Sequence, residues 1–321
     1  MRFTSLLALA LFSITCSAAD LFVGVGYGGR RVASSDGKKW DITAEWIEKG
    51  ADDSYNLMGI AYGLGKFVAV GGGGWTKDTQ AGHILVSTDG RDWREVHKEP
   101  FRVNPIIFGN GRFMVGGPDR TLLWSTDGEK WEKGAQAAAD GFPGWAMWFR
   151  NGAHGNGTYV FMGECGAKKE FYWCVASKDG TALKFRHDLP QLSSLAFGAG
   201  HFIAVGKGVM MTSTDGFEWT KTDTIAPVAD ATKAPSPWIV WTGSGFICSA
   251  DKAILTSADG THWKTESYTI PCRISYADAK AGCYLGASWG GNLWYSHDGK
   301  KWEKTVLGGN AINMIASRGA K

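Results

Sequence analysis

One short phrase returns seven times in this chain: a serine, any residue, then Asp-Gly, followed in six copies by a tryptophan three positions after the glycine. The copies are Ser34-Ser-Asp36-Gly37-Lys-Lys-Trp40, Ser87-Thr-Asp89-Gly90-Arg-Asp-Trp93, Ser125-Thr-Asp127-Gly128-Glu-Lys-Trp131, Ser177-Lys-Asp179-Gly180, Ser213-Thr-Asp215-Gly216-Phe-Glu-Trp219, Ser257-Ala-Asp259-Gly260-Thr-His-Trp263 and Ser296-His-Asp298-Gly299-Lys-Lys-Trp302. Asp-Gly between two apolar runs is a strong hairpin signal, because glycine supplies positive φ and the carboxylate accepts hydrogen bonds from amides just downstream. The serine adds a second side-chain bond to the same loop. These aspartates are therefore read as structural. The six tryptophans, out of sixteen in the chain, are expected to wedge between neighbouring repeat units rather than to hold a ligand.

The seven aspartates are spaced 53, 38, 52, 36, 44 and 39 residues apart. A period near forty with four strand-like runs per unit is the mark of propeller blades. The unit is clearest as Leu57-Met-Gly-Ile-Ala-Tyr62, Phe67-Val-Ala-Val-Gly71, His83-Ile-Leu-Val-Ser87 and Trp93-Arg-Glu-Val-His97. Each run is β-branched or alternating, glycine-rich turns separate them, and no sustained helical period interrupts them. The two ends are out of phase with the repeat. Leu21-Phe-Val-Gly-Val-Gly26 matches a second strand and lacks a first, whereas Ala311-Ile-Asn-Met-Ile-Ala-Ser317 resembles a first strand. The expectation is an all-β, seven-bladed propeller of four-stranded antiparallel blades, closed by the C-terminal strand completing the N-terminal blade. Such closure removes an exposed sheet edge.

The recurring phrase resembles the Asp box, or bacterial neuraminidase repeat, of sialidases and other β-propellers, and the resemblance covers nearly the whole chain after residue 19. The family pattern is Ser/Thr-x-Asp-(x)-Gly-x-Thr-Trp. Here nothing stands between Asp and Gly, and the Thr is replaced by Lys39, Asp92, Lys130, Glu218, His262 and Lys301; the fourth copy moves its aromatic to Phe185. The resemblance implies a sialidase-like fold and no particular reaction, since the same fold serves hydrolases, lyases, receptors and assembly factors.

Residues 2–19 carry one arginine, an apolar core from Leu6 to Ile14 and a Ser17-Ala-Ala19 end. They read as a signal peptide cleaved before Asp20, too short to span a bilayer. The expected mature protein, residues 20–321, is a single secreted or periplasmic propeller, a monomer, with 33 basic and 31 acidic side chains. That balance offers no polyanion-binding surface, so nucleic acid is not expected as a partner. Five cysteines remain after cleavage. In an oxidising compartment, Cys165 with Cys174 and Cys272 with Cys283, each pair flanking a predicted hairpin, are candidate disulfides. The spacings fit no metal site, and neither metal nor cofactor is expected.

In a ring of this kind the links between second and third strands, and from the fourth strand to the next blade, open on the face opposite the Asp-Gly turns. Loops on that face are long here, which suggests recognition. They supply Tyr55, Trp75, Lys77, Trp145, Glu170, Tyr172 and Trp238 as candidate ligand-binding residues. Aromatic faces among polar groups suit sugar rings. Asp52, Asp53, Asp78 and Glu164 are candidate catalytic carboxylates, since a glycosidase needs two across the scissile bond. Arg102 joins them because Phe101-Arg102-Val-Asn-Pro105 is distantly similar to the Phe/Tyr-Arg-Ile-Pro segment of sialidases, though Asn104 is inserted and the segment follows the second box. His83, expected to begin a strand, and His154, expected in a turn on the Asp-Gly face, are weaker candidates for a lyase base. The leading reading is a glycan- or protein-binding module acting through the loop-rich face. A glycoside hydrolase or polysaccharide lyase is the alternative, and an assembly-factor-like scaffold the second alternative.

Overall fold

Every Ser-x-Asp-Gly phrase closes a hairpin between the third and fourth strands of a four-stranded antiparallel sheet, and seven such sheets stand in a ring. The computed structural model describes residues 20–46, 55–73, 81–117, 120–136, 147–165, 168–222, 236–250 and 253–319. The innermost strands, numbered by blade, are Ile312–Ser317, Leu57–Gly63, Ile106–Gly109, Met147–Gly155, Ser194–Gly198, Trp238–Trp241 and Arg273–Asp278. Each touches the next around the circle, and the seventh touches the first.

Each phrase serine is the last residue of its third strand and is buried. Its hydroxyl accepts the glycine amide at 2.8 or 2.9 Å in all seven turns. In six turns it also donates to the aspartate Oδ1 at 2.9–3.1 Å. The fourth differs, with Ser177 donating to the Ala182 carbonyl at 2.7 Å. The aspartate Oδ1 accepts amides two and three residues on, as Asp127 does from Glu129 and Lys130 at 2.7 and 2.8 Å. Those amides hold the carboxyls of Asp36, Asp89, Asp127 and Asp179 below the usual range, and Asp298 at about 2.

Seven apolar clusters occupy the seven blade interfaces. Six contain the phrase tryptophan: Trp40, Trp93, Trp131, Trp219, Trp263 or Trp302. The interface of the third and fourth blades instead uses Leu183, Phe185 and the buried Trp173. Several phrase glycines face the preceding blade closely; a methyl on Gly216 would lie 2.1 Å from Val160 Cγ2 and one on Gly90 2.4 Å from Val23 Cγ2. Indole nitrogens do a second job, because Trp40, Trp93, Trp219 and Trp263 donate to the carbonyl of their own turn's glycine at 2.9–3.2 Å. Second strands are covered by a blade on each side, so Phe67-Val68-Ala69-Val70 is buried without alternation. Fourth strands are covered on one side only, and Arg94–Glu99 is correspondingly polar.

Closure by the C-terminal strand is as expected, and its register sets Phe22 opposite Ser317, Val23 opposite Ala316 and Gly24 opposite Ile315. Arg30 pins this seam: its guanidinium donates to the carbonyls of Gly308 and of Asn310, the latter at 2.9 Å, and pairs with Glu45. On the other flank Asn313 donates to Asn56 Oδ1 and the Leu57 carbonyl at 2.6 and 2.8 Å.

The disulfide expectation is corrected. Cys174, Cys272 and Cys283 are free, as is Cys248. Register explains this: Cys174 lies opposite Met162, while Cys165 lies opposite Lys168. Cys283 lies opposite Asp278, five residues along the strand from Arg273, and at about 3.3 Å per residue Cys272 is well out of bonding range. Burial pushes each of the four free thiols up to about 12, so they are neutral at ordinary pH and poor nucleophiles. His154 is also not in a turn. It belongs to the innermost strand of blade 4, with its ring over Gly109 and 4.5 Å from Tyr159, and burial lowers its pKa. Among the described residues no helix is long and apolar enough to cross a membrane.

Candidate functional site

A cavity of about 580 Å³ opens on the face opposite the Ser-x-Asp-Gly turns, where blades 6, 7 and 1 meet. That volume is typical of a small-ligand site. Its walls come from links whose sequences force the chain to turn. Tyr27-Gly28-Gly29 joins the second and third strands of blade 1, and both glycines take positive φ, 66° and 67°. Trp289-Gly290-Gly291 makes the equivalent turn in blade 7, again with two positive-φ glycines. With the following glycines absorbing the bend, each aromatic is left at the rim. Trp289 is 75 % exposed, and its ring lies 5.4 Å from that of Tyr27, tilted by 37°.

The walls below the rim carry small polar groups. Ser249, Thr269 and Ser275 line the cavity and keep their hydroxyls unbonded to protein. Trp238 forms part of the floor and is nearly buried. Among the described residues no aspartate or glutamate lines the cavity. Arg273, the first residue of the innermost strand of blade 7, lines it too. Its surface is open to the cavity, yet the ring crowds it closely enough that desolvation holds its guanidinium below the ordinary arginine range.

A second aromatic group stands beside this cavity on the same face. Trp46, at the end of blade 1, packs edge-on to Tyr55 at 5.9 Å and against His83 at 5.1 Å. Arg31 lies 5.0 Å from the Trp46 ring centre. Gly29 lets this group approach the Tyr27 turn, since a side chain there would collide with the Trp46 ring. Aromatic surface therefore runs from Trp289 through Tyr27 to Trp46 and Tyr55, across blades 7, 1 and 2.

The candidates read from sequence divide clearly. Trp238 lines the cavity and Tyr55 belongs to the adjoining aromatic group. Glu164 is engaged by Arg150 through two hydrogen bonds of 2.9 and 2.5 Å, which neutralise it across neighbouring strands. Arg102 donates to the Gly72 carbonyl at 2.8 Å and so ties the link after blade 2 to that blade. Tyr172 is half-buried in the third strand of blade 4, opposite Glu164. Glu170 lies in the same strand. Asp52, Asp53, Trp75, Lys77, Asp78 and Trp145 lie outside the described residues. Among the described residues no three acidic, histidine or cysteine side chains are grouped to hold a metal. Sequence reasoning missed Tyr27, Trp46 and Trp289 as site residues. The signal available was an aromatic immediately before or near a Gly-Gly pair.

Comparison with solved structures places the chain among seven-bladed propellers. It is similar to YCF48 bound to a D1 peptide, with 16% identity over 89% of this chain and 88% of that one and a TM-score of 0.54. It is also similar to apo AztD from Citrobacter koseri, with 12% identity over 93% and 97% of the two chains and a TM-score of 0.55. A GH74 xyloglucanase from Xanthomonas campestris superposes at a TM-score of 0.63, with 13% identity over 91% of this chain and 53% of the enzyme. The chain thus spans about half the length of that enzyme. No family model matches the sequence, and no curated protein does.

Proposed function

We propose that this protein is an exported, non-catalytic propeller that binds a glycan chain through its loop-rich face. The observation that carries the reading is Trp289, largely exposed and stacked on Tyr27 above a cavity with free hydroxyls and, among the described residues, no carboxylate in its walls. Sugar rings present a flat apolar face and a rim of hydroxyls. The aromatic pair offers the first a platform, and Ser249, Thr269 and Ser275 offer the second both donors and acceptors. A hydrolase of the ordinary two-carboxylate kind needs paired acids across the bond; with Glu164 held by Arg150, the described residues support binding over cleavage. The likeness to YCF48, AztD and the xyloglucanase concerns the fold, and the choice of ligand rests on this cavity's own chemistry. The leader-like segment over residues 2–19 supports export, and the Ser-x-Asp-Gly turns support kinship with Asp-box propellers.

Calorimetric titration against a panel of plant and algal oligosaccharides tests the reading. At least one glycan should bind without release of new reducing ends or unsaturated uronates. Trp289→Ala should weaken it about thirtyfold, as removal of an aromatic anchor does, with an unchanged thermal midpoint. Binding that survives this substitution, or glycan cleavage by the wild-type protein, contradicts the reading.

A further inference from the structure

We propose that the glycan taken by this cavity is an acidic one, a hexuronate polymer whose carboxylate is gripped by Arg273; this rests on the glycan-binding reading above. The other arginines are engaged within the protein. Arg30 is held by Glu45 and two carbonyls, Arg91 by Asp41, Arg94 by Glu129, Arg150 by Glu164 and Arg186 by Asp188. Arg31 and Arg112 bond to carbonyls and lie against tryptophan rings. Among the described residues every arginine has such a partner except Arg273.

Arg273 therefore presents a positive charge without a protein partner inside a cavity whose described residues include no acidic group. Crowding by the ring removes part of its water, so an entering anion meets less hydration to displace and weaker dielectric screening than at an open surface. Guanidinium is a planar fork that matches a carboxylate through two parallel hydrogen bonds. The neighbouring groups then choose among carboxylates. Ser275 is two residues along the same strand, and Thr269 lies in the link before it. Their hydroxyls offer donors and acceptors to the glycosidic oxygen and ring hydroxyls of the same sugar, while Trp289 and Tyr27 offer a platform to the ring face. A uronic acid residue has all three features in one pyranose: an equatorial carboxylate, ring hydroxyls and an apolar face.

The test compares oligogalacturonate and oligomannuronate with their carboxyl-reduced neutral counterparts, by calorimetry with the full chain. The acidic form of one pair should bind about ten- to hundredfold more tightly than its neutral partner. Its affinity should fall as salt rises, because charge attraction is screened. Arg273→Gln should abolish the preference while keeping the residual neutral binding and the thermal midpoint, and Arg273→Lys should restore part of it. Equal binding of acidic and neutral forms, unchanged in Arg273→Gln, overturns the inference and leaves the glycan-binding reading standing. Failure of every glycan, with Arg273-dependent capture of an acidic peptide instead, overturns both, and so does failure of all ligands.

Discussion

Replacing Ser125 or Asp127 by alanine separates the two halves of one Ser-x-Asp-Gly turn. Ser125 is 1% exposed. Its hydroxyl accepts the buried Gly128 amide at 2.8 Å and the Asp127 amide at 3.3 Å. Alanine there leaves a buried amide without an acceptor, which costs about 1–3 kcal/mol. Asp127 accepts two amides and the Ser125 hydroxyl, but the amides of Glu129 and Lys130 lie nearer the surface and water replaces the lost acceptor in part. Its loss should cost about 1–2 kcal/mol. Both variants should therefore melt lower by roughly 2–6 °C, since about 2 °C per kcal/mol is expected for a chain this long, with Ser125→Ala the larger. The turn lies on the face opposite the cavity, so glycan affinity should not move. Scanning calorimetry paired with titration reads both quantities. Unchanged melting in both variants, or weakened binding at unchanged melting, would refute the structural account of the repeat.

Acid should unfold the ring through the same turns. Folding depresses the carboxyls of Asp36, Asp89, Asp127 and Asp179, and brings Asp298 to about 2, whereas the unfolded chain has ordinary values near 4. Their stabilisation is then complete above about pH 4 and is lost as pH falls through the folded values. Urea midpoints measured across the window from about pH 4 to 2 should decline steadily, and a flat profile would count against the argument. Deleting residues 311–321 removes the strand that covers Phe22–Gly26 and exposes a paired edge with Val23 and Val25 buried beside it. The truncated chain should be recovered mainly as aggregate; a monomer with wild-type melting would show that closure is dispensable.

The repeat was legible because its information is local. Serine hydroxyl, aspartate carboxylate, glycine φ and indole all act within about seven residues of one another, so their spacing alone determined seven hairpins and, through the phase of the two ends, the closure of Phe22–Gly26 on Ile312–Ser317. Even the irregular fourth copy was foreseeable as a change of aromatic, with Leu183 and Phe185 filling the place of the missing tryptophan. The cysteines were misread because proximity along a hairpin says nothing of register, and a shift of a few residues places two thiols at opposite ends of a strand. The site depended on the tertiary structure for a related reason. Tyr27 and Trp289 stand at opposite ends of the chain and meet only because the ring closes. Glu164 looked available until the neighbouring strand brought Arg150 to it. Among the described residues Arg273 is the arginine without a partner, and that is a property of the space around a side chain. Hydrogen bonds between near neighbours in sequence determine the blades; the meeting of distant blades decided which polar and charged groups were consumed and which were left facing the cavity.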